Sequence, residues 1–175
     1  RKADDLTGFL NHNQLRINYK KFMEENPDYS GAFLIIGIDN IKGINQKFGL
    51  TGGDMAIEFV SDAIRECVRS ESRIYRIEGD EFFIRTDGDI NDAKDMYYAI
   101  RSRLDQMIAE HDYEIVFTIS GGAFISNAKI RFEELKVKLE FSLNQAKRRG
   151  RNCVIAFKPE EYAEHIKLLD VQELL

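Results

Sequence analysis

Residues 32–39 constrain the fold of this chain more than any other segment. Seven consecutive apolar or glycine residues are followed there by the carboxylate of Asp39. A strand that is apolar at successive positions buries both of its faces, which predicts a place at the centre of a sheet. Asp39 is then expected at one end of that central strand.

The rest of the chain alternates between helical and strand patterns. Apolar residues at helical spacing predict helices over residues 13–23, 55–67, 93–107 and 132–146, and Gly150 is expected to end the last of these. Strands are predicted at residues 73–75, 82–84, 115–119 and 154–157, and Pro159 is expected to open a terminal helix. Helices interleaved with a sheet that contains an antiparallel hairpin indicate an α+β fold. The expected plan is a ferredoxin-like or palm-type, mostly antiparallel sheet of about five strands flanked by helices.

Composition excludes several classes of function. A chain of 175 residues with 43% hydrophobic content is long enough for one domain with a substantial core. Its formal net charge of −5 argues against nucleic acid or an anionic membrane as a partner. The two cysteines, Cys67 and Cys153, are far apart and are interpreted as core thiols of a cytoplasmic domain. The sequence has neither a signal-peptide pattern nor a run suited to membrane insertion.

A Gly-Asp-Glu corner is the main candidate for chemistry. Gly79, Asp80 and Glu81 lie between two predicted strands, so they are expected at the turn of a β-hairpin. Hard divalent cations prefer carboxylate oxygens, and glycine lets the backbone approach a ligand closely. The corner is therefore suited to holding a divalent cation against a phosphate.

Five segments, in order and at the expected spacing, resemble the GGDEF family, the diguanylate cyclases. They are residues 5–11, residues 38–45 with Phe48-Gly49 and Gly53-Asp54, residues 78–82, residues 118–120 and residues 146–152. The resemblance covers nearly the whole chain. It implies a domain that joins two GTP molecules into cyclic di-GMP with Mg²⁺ (or Mn²⁺), as a homodimer with one GTP on each face.

The resemblance also assigns roles to individual residues. The implied catalytic residues are Asp80, Glu81 and Lys42, the nucleotide-binding residues are Asn45, Asp54, Gly79, Lys147 and Arg151, and the metal ligand is Asp80, with Asp39 as a second candidate. Asn45 and Asp54 would hydrogen-bond the guanine edge, and the basic residues would lie along the triphosphate. Two alternatives stay open: Asp54 is also a candidate N-cap of the helix over residues 55–67, and the basic segment 147–151 is also typical of a solvated helix end.

The chain departs from the family pattern at three places. The family's first metal carboxylate aligns with Gly37, and Asp39 lies roughly 6.6 Å further along the same face of the strand. The first glycine of the signature is Glu78, which either repels a phosphate or partly replaces the missing ligand. The acid of the product-inhibition motif is absent, because Arg69 is followed three residues later by Ser72.

Two functions from different classes follow from this pattern. The first is a degenerate, regulatory GTP-binding domain, and the alternative is a weak diguanylate cyclase. We expect residues 1–158 to form the GGDEF-type domain and residues 159–175 to form a connector helix toward a further domain, such as an EAL-type phosphodiesterase or a sensor. Packing of the same helix against its own domain is the alternative for its first part.

Overall fold

The computed structural model describes residues 1–111 and 114–174. The helices are α1 (His12–Glu25), α2 (Ile41–Cys67), α3 (Ile90–Glu110), α4 (Phe132–Arg148) and α5 (Pro159–Leu174). The strands are β1 (Leu10–Asn11), β2 (Ser30–Ile38), β3 (Ile74–Glu78), β4 (Glu81–Arg85), β5 (Ile119–Asn127) and β6 (Val154–Ala156). No helix among these described residues is both long enough and apolar enough to cross a membrane.

The strands form one sheet in the order β1-β3-β4-β2-β5-β6. The pairs β3·β4, β4·β2 and β2·β5 are antiparallel, whereas β1·β3 and β5·β6 at the two edges are parallel. The predicted α+β architecture with a mostly antiparallel sheet is confirmed. The described residues give six strands where about five were expected, because the two-residue β1 is too short to leave a sequence pattern.

Strand β2 is buried on both faces, as its apolar run predicts. Leu34 and Ile36 face a core shared with α2 and α3, whereas Phe33 and Ile35 face a second core shared with α1 and α4. Side chains at alternate positions of a strand point to opposite faces, so Gly37 continues the row of Phe33 and Ile35. Gly37 therefore lies beneath α4.

Helix α4 approaches the sheet unusually closely beside Gly37. A Cβ atom at Gly122 of β5 would lie 2.7 Å from both the carbonyl oxygen of Leu139 and the backbone nitrogen of Leu143. Only a glycine fits beneath a helix backbone at that distance. The C-terminal half of α4 is thereby brought down onto the end of β2.

The strand predicted at residues 115–119 begins only at Ile119. Ile115 and Phe117 are buried and Val116 is exposed, so the alternation of a strand is present before the strand itself. Ile119 pairs with Ile38, the last residue of β2, and the neighbouring strand ends there. Because β2 ends at Ile38, the strand pairing stops there, and the Asp39 N–H donates one further hydrogen bond to the Thr118 carbonyl.

The helix predicted to begin at Met55 begins earlier, directly after a kink at Gly49 within α2. Two helices meet at Gly49, whose φ of 77° and ψ of −176° interrupt the helical backbone of α2. Asp54 follows this kink by five residues and lies inside the helix, so the alternative that it caps a helix N-terminus is wrong. Gly49, Gly52 and Gly53 interrupt the apolar spacing in the sequence, so the pattern does not predict the helical residues before Asp54.

The terminal helix α5 packs against the domain through its first turns. Tyr162 and His165 contact Phe141 of α4, with ring centroids 5.2 and 5.1 Å apart. Further along, Leu168 and Val171 are more than half exposed. The start of α5 thus contacts α4 of the same domain. Leu175, the last residue of the predicted connector, lies outside the described residues.

Candidate functional site

The end of β2 meets the turn between β3 and β4, as the sequence predicts. Gly37 pairs with Glu81 on one side and with Ser120 on the other. The N–H of Ile38 donates a hydrogen bond to the Asp80 carbonyl at 3.0 Å. Gly79 and Asp80 thus form a turn whose position is fixed by the central strand.

The space above Gly37 is occupied by side chains of α4. A Cβ atom at this position would lie 3.3 Å from Leu143 Cδ2 and 3.5 Å from Lys147 Cε. Those distances are close to ordinary van der Waals contact. The hydrocarbon stem of Lys147 therefore lies in contact with the place where a side chain at position 37 would begin.

Glu81 is the most perturbed carboxyl group at the site. Burial is the main cause, and the neighbouring carboxylates of Glu140, Asp80 and Glu78 add to it, so that the pKa of Glu81 rises to about 7. Lys147 is the cation that opposes this rise. Glu81 Oε1 is buried without a hydrogen-bond partner among the described residues. An unpaired buried acceptor of this kind is costly unless a ligand or water satisfies it.

Asp39 is almost completely buried and fully engaged in hydrogen bonds. Its Oδ1 accepts a hydrogen bond from the Ser120 hydroxyl at 2.7 Å. Its Oδ2 accepts from the Thr118 hydroxyl at 2.6 Å and from the Asn152 N–H at 3.2 Å. These contacts tie the end of β2 to β5 and to the loop before β6. The carboxylate of Asp39 is used for this structural purpose in the present arrangement.

The acids at the site do not form a metal cage. Within the described parts of the chain, no three His, Cys, Asp or Glu residues are grouped so that they could hold one ion. Mg²⁺ requires near-octahedral oxygen ligands, of which the protein usually supplies one or two carboxylates. Asp80 is half-buried at the turn, but Gly37 offers no second carboxylate opposite it. The residues present therefore lack one of the two carboxylates with which the resemblance implies that the cation is held.

Glu78 points toward α4 and is held there by a lysine. Lys136 Nζ lies 3.2 Å from Glu78 Oε1 and 3.8 Å from Glu140 Oε1. The negative charge of Glu78 is therefore partly compensated. This ion pair was not apparent from the sequence, since it depends on which face of α4 is turned toward the hairpin.

Arg76 forms hydrogen bonds that hold the signature turn at Gly79. Its Nη1 donates to both carboxylate oxygens of Asp4 at 2.9 Å, and its Nε and Nη2 donate to the Gly79 carbonyl at 3.2 and 2.7 Å. The arginine thus connects the N-terminal segment to the turn. Its position beside the signature is the only sequence signal of this role.

Asn45 and Asp54 lie on the two sides of the kink in α2. The side chain of Asn45 packs against Gly53, where any Cβ atom would overlap its amide. Asn45 Oδ1 is buried and has no hydrogen-bond partner among the described residues. Asp54 is exposed next to Gly53. The pair therefore places an unsatisfied amide oxygen and a carboxylate on the two helical segments that meet at Gly49.

The three predicted basic residues differ in their surroundings. Lys42 is exposed in the first turn of α2, and Arg151 is exposed in the loop after α4 with a φ of 64°. Lys147 is half-buried in the last turn of α4, and its ammonium group forms no ion pair with any residue that the structure describes. Gly150, with a φ of 108°, ends α4 as predicted.

The comparisons with known proteins agree on one family. The family described as "Diguanylate cyclase, GGDEF domain" matches residues 1–153. Diguanylate cyclase DgcS of Shewanella oneidensis is 30% identical over 152 residues, which are 86% of this chain and 51% of the length of DgcS. The chain thus spans about half of that relative's length.

Solved structures share the fold at lower identity. The GGDEF domain of DgcB from Caulobacter crescentus, in complex with c-di-GMP, superposes with a TM-score of 0.74 at 20% identity, over 89% of this chain and 95% of that one. The Vibrio cholerae LapD S helix-GGDEF-EAL structure has a TM-score of 0.71 at 17% identity, over 98% of this chain and 42% of that one. The fold and the signature hairpin thus define a GGDEF-type domain of cyclic di-GMP signalling. This chain belongs to the diguanylate cyclase GGDEF family.

Proposed function

We propose that this domain binds GTP and acts as a regulatory module in cyclic di-GMP signalling in the cytoplasm, with little or no synthesis of the dinucleotide. The carrying observation is a contrast within one site. The amide of Asn45 is buried with an unsatisfied oxygen, whereas the position of the first metal carboxylate is Gly37 and is covered by α4. Groups suited to recognising a guanine are kept, and a group required for metal-dependent transfer is not.

Guanine offers hydrogen-bond donors that complement the acceptors of Asn45 and Asp54. The N1–H and the exocyclic amine of guanine are donors, which the Asn45 oxygen and the Asp54 carboxylate can accept. Adenine cannot present the same two donors. Binding of GTP would satisfy the buried oxygen of Asn45, which otherwise costs free energy in the folded domain.

The alternative function is an active diguanylate cyclase. Asp80, Glu81 and Lys42 are all retained, and Asp80 and Glu81 lie together at the hairpin turn. Two such domains facing each other, each with a GTP, would then have to obtain a metal site without a carboxylate at Gly37. Metal ions normally stabilise both the attacking and the leaving oxygen in such a displacement. The covered Gly37 therefore favours the regulatory function.

The connector assignment for residues 159–175 remains part of this proposal. The similarity to the LapD structure, whose S helix and EAL domain flank its GGDEF domain, extends over 98% of this chain and so includes nearly all of α5. The exposed Leu168 and Val171 give α5 an apolar surface that is available to a following domain. GTP at the Asn45 and Asp54 site would then bias an EAL-type phosphodiesterase through α5, if it binds two states of the protein differently.

Titration calorimetry with GTP and ATP tests the nucleotide assignment. GTP should bind more tightly than ATP, and Asn45→Ala should weaken GTP binding by about 1–3 kcal/mol because it removes a buried hydrogen-bonding group. Gln46→Ala is the matched control, since Gln46 is exposed on the same turn of α2. Equal affinities for the two nucleotides would show that the guanine assignment is incorrect.

Turnover assays with Mg²⁺ or Mn²⁺ separate the regulatory function from the alternative. The unmodified domain should form little cyclic di-GMP, and Gly37→Asp should raise the rate by supplying the second carboxylate. Robust turnover without that substitution, abolished by Asp80→Ala, would establish the active cyclase instead. Assay of the full-length protein for cyclic di-GMP hydrolysis with and without GTP tests the connector.

A further inference from the structure

We propose that the ammonium group of Lys147 takes the place of the divalent cation in this domain, so that the triphosphate of its nucleotide is bound without a metal ion. The inference rests on the proposed function only for the identity of the nucleotide. The acids at the site lack the carboxylate that the family pattern places at Gly37.

The stem of Lys147 lies next to Gly37. Its Cε lies 3.5 Å from the place where a Cβ atom at Gly37 would stand. An aspartate at that position would have to share this space with the lysine. Lys147 therefore lies directly against the place where a side chain at Gly37 would start.

The two glutamates of the signature turn, Glu78 and Glu81, differ in how their charges are compensated. Glu81 is the buried carboxyl group on which the charge of Lys147 acts, and Glu81 Oε1 has no hydrogen-bond partner among the described residues. Glu78, by contrast, already has Lys136 at 3.2 Å. Lys147 thus opposes the rise in the pKa of Glu81, while the added acid at position 78 is compensated separately.

The ammonium group of Lys147 has hydrogen-bond donors to offer a ligand. A lysine ammonium has three donors and binds phosphate as a point charge. Lys147 forms no ion pair within the described residues, so its donors are available to phosphate oxygens. A side-chain cation can hold a triphosphate, but it does not offer the open coordination positions that activate a hydroxyl nucleophile. Metal-free binding and the loss of catalysis then have one structural cause.

The experiment measures the affinities of GTP and of inorganic tripolyphosphate by calorimetry, in buffer with Mg²⁺ and in buffer with EDTA. The unmodified domain should bind GTP in EDTA within about threefold of its affinity in Mg²⁺, a difference well below 1.4 kcal/mol. Lys147→Met keeps the stem over Gly37 and removes the charge, and it should weaken binding in EDTA by roughly 10- to 100-fold. Arg148→Met is the matched control, because Arg148 is exposed in the same turn of α4.

Gly37→Asp provides the opposite test. The atoms that an added Cβ would meet are the ends of flexible side chains, so the variant can fold with shifts of a few tenths of an ångström. The new carboxylate should weaken GTP binding in EDTA by about tenfold or more, because its negative charge repels the phosphates strongly at an effective dielectric of 20. Mg²⁺ should restore the binding. If this variant does not fold, Lys147→Met still decides the question.

The outcomes distinguish this inference from the proposed function. GTP binding by the unmodified domain that requires Mg²⁺, or equal affinities for Lys147→Met and Arg148→Met, overturns the inference and leaves the proposed function standing. Metal-free binding of tripolyphosphate that depends on Lys147, with GTP no tighter than ATP, supports the inference and overturns the guanine assignment. Binding of neither probe in either buffer overturns both.

Discussion

Removal of the Arg76 guanidinium should destabilise the domain measurably. In Arg76→Met the side chain keeps most of its apolar length but loses the hydrogen bonds to Asp4 and to the Gly79 carbonyl. The two charged side chains are only 15% and 22% exposed, so they are neither a surface pair nor a fully buried one. Their contact connects the N-terminal segment to the hairpin turn, and both should loosen together.

The expected magnitude lies between two known limits. Exposed ion pairs contribute about 0–1 kcal/mol, whereas removing one partner of a buried pair costs about 3–5 kcal/mol. The intermediate burial of Arg76 and Asp4, with the lost hydrogen bonds to Gly79, leads us to expect a fall of about 2–3 kcal/mol in the free energy of unfolding. For a domain of this size such a change lowers the melting temperature by roughly 4–12 °C.

The loss should also depend on pH. Burial by itself raises the pKa of Asp4, but hydrogen bonds from Thr7 and Arg76 outweigh it and hold the pKa below the ordinary 3.8. A carboxyl group with a lowered folded pKa stabilises the fold above its unfolded pKa, and this contribution is lost as the pH falls through the folded value. The difference between the unmodified domain and Arg76→Met should therefore be full at pH 7 and shrink below about pH 4.

A double-mutant cycle in urea measures the coupling. The set is Arg76→Met, Asp4→Asn and the two combined, at neutral pH. Arg69→Met is the control, because Arg69 is exposed, and its effect should stay within about 0.5 kcal/mol. A coupling free energy between Arg76 and Asp4 below about 0.3 kcal/mol, the range of independent sites, would refute the reasoning.

Two further predictions concern the same end of the sheet. The pKa of Glu81 is raised from 4.5 to about 7, so its contribution to stability is full below pH 4.5 and is lost as the pH rises through 7. Melting temperatures at pH 5 and pH 8 should therefore fall more for the unmodified domain and for the exposed control Glu58→Gln than for Glu81→Gln, and equal falls would contradict this. Gly122→Ala should lower the free energy of unfolding in urea by about 1–3 kcal/mol, because α4 leaves no room for a methyl group. Gly79→Ala is the control and should stay within about 0.5 kcal/mol, because an added Cβ there meets no described atom within 4 Å. Similar costs for the two variants would contradict the packing argument.

The sequence was a good guide to the elements and a poorer guide to their contacts. The apolar run of β2 and the hairpin around Gly79 follow from local patterns, and their proximity follows from the expected plan of the sheet. The boundary predicted at Asp54 is wrong because the helix that contains Asp54 already begins after Gly49, whose positive φ separates it from the preceding helix. The ion pair of Glu78 with Lys136 required the rotation of α4 about its axis, which long-range packing sets.

The position of Lys147 over Gly37 was equally inaccessible from the sequence. The resemblance places this lysine near a triphosphate, but it does not say where the stem lies. That position follows from the close approach of α4 at Gly122, which is a contact between distant parts of the chain. Residue types therefore predict candidate groups for the site, and packing decides what surrounds them.

The central place of β2 has a consequence for the newly synthesised chain. Its two partner strands, β4 and β5, both come later in the sequence, and β5 ends only at Asn127. At a synthesis rate of about 5–20 residues per second, β2 waits roughly 5–18 s for its second partner. During that time a strand that is apolar on both faces is exposed with an open edge, which is typical of an aggregation-prone segment. Fragments that stop before Asn127 should therefore depend most on chaperones and aggregate most readily.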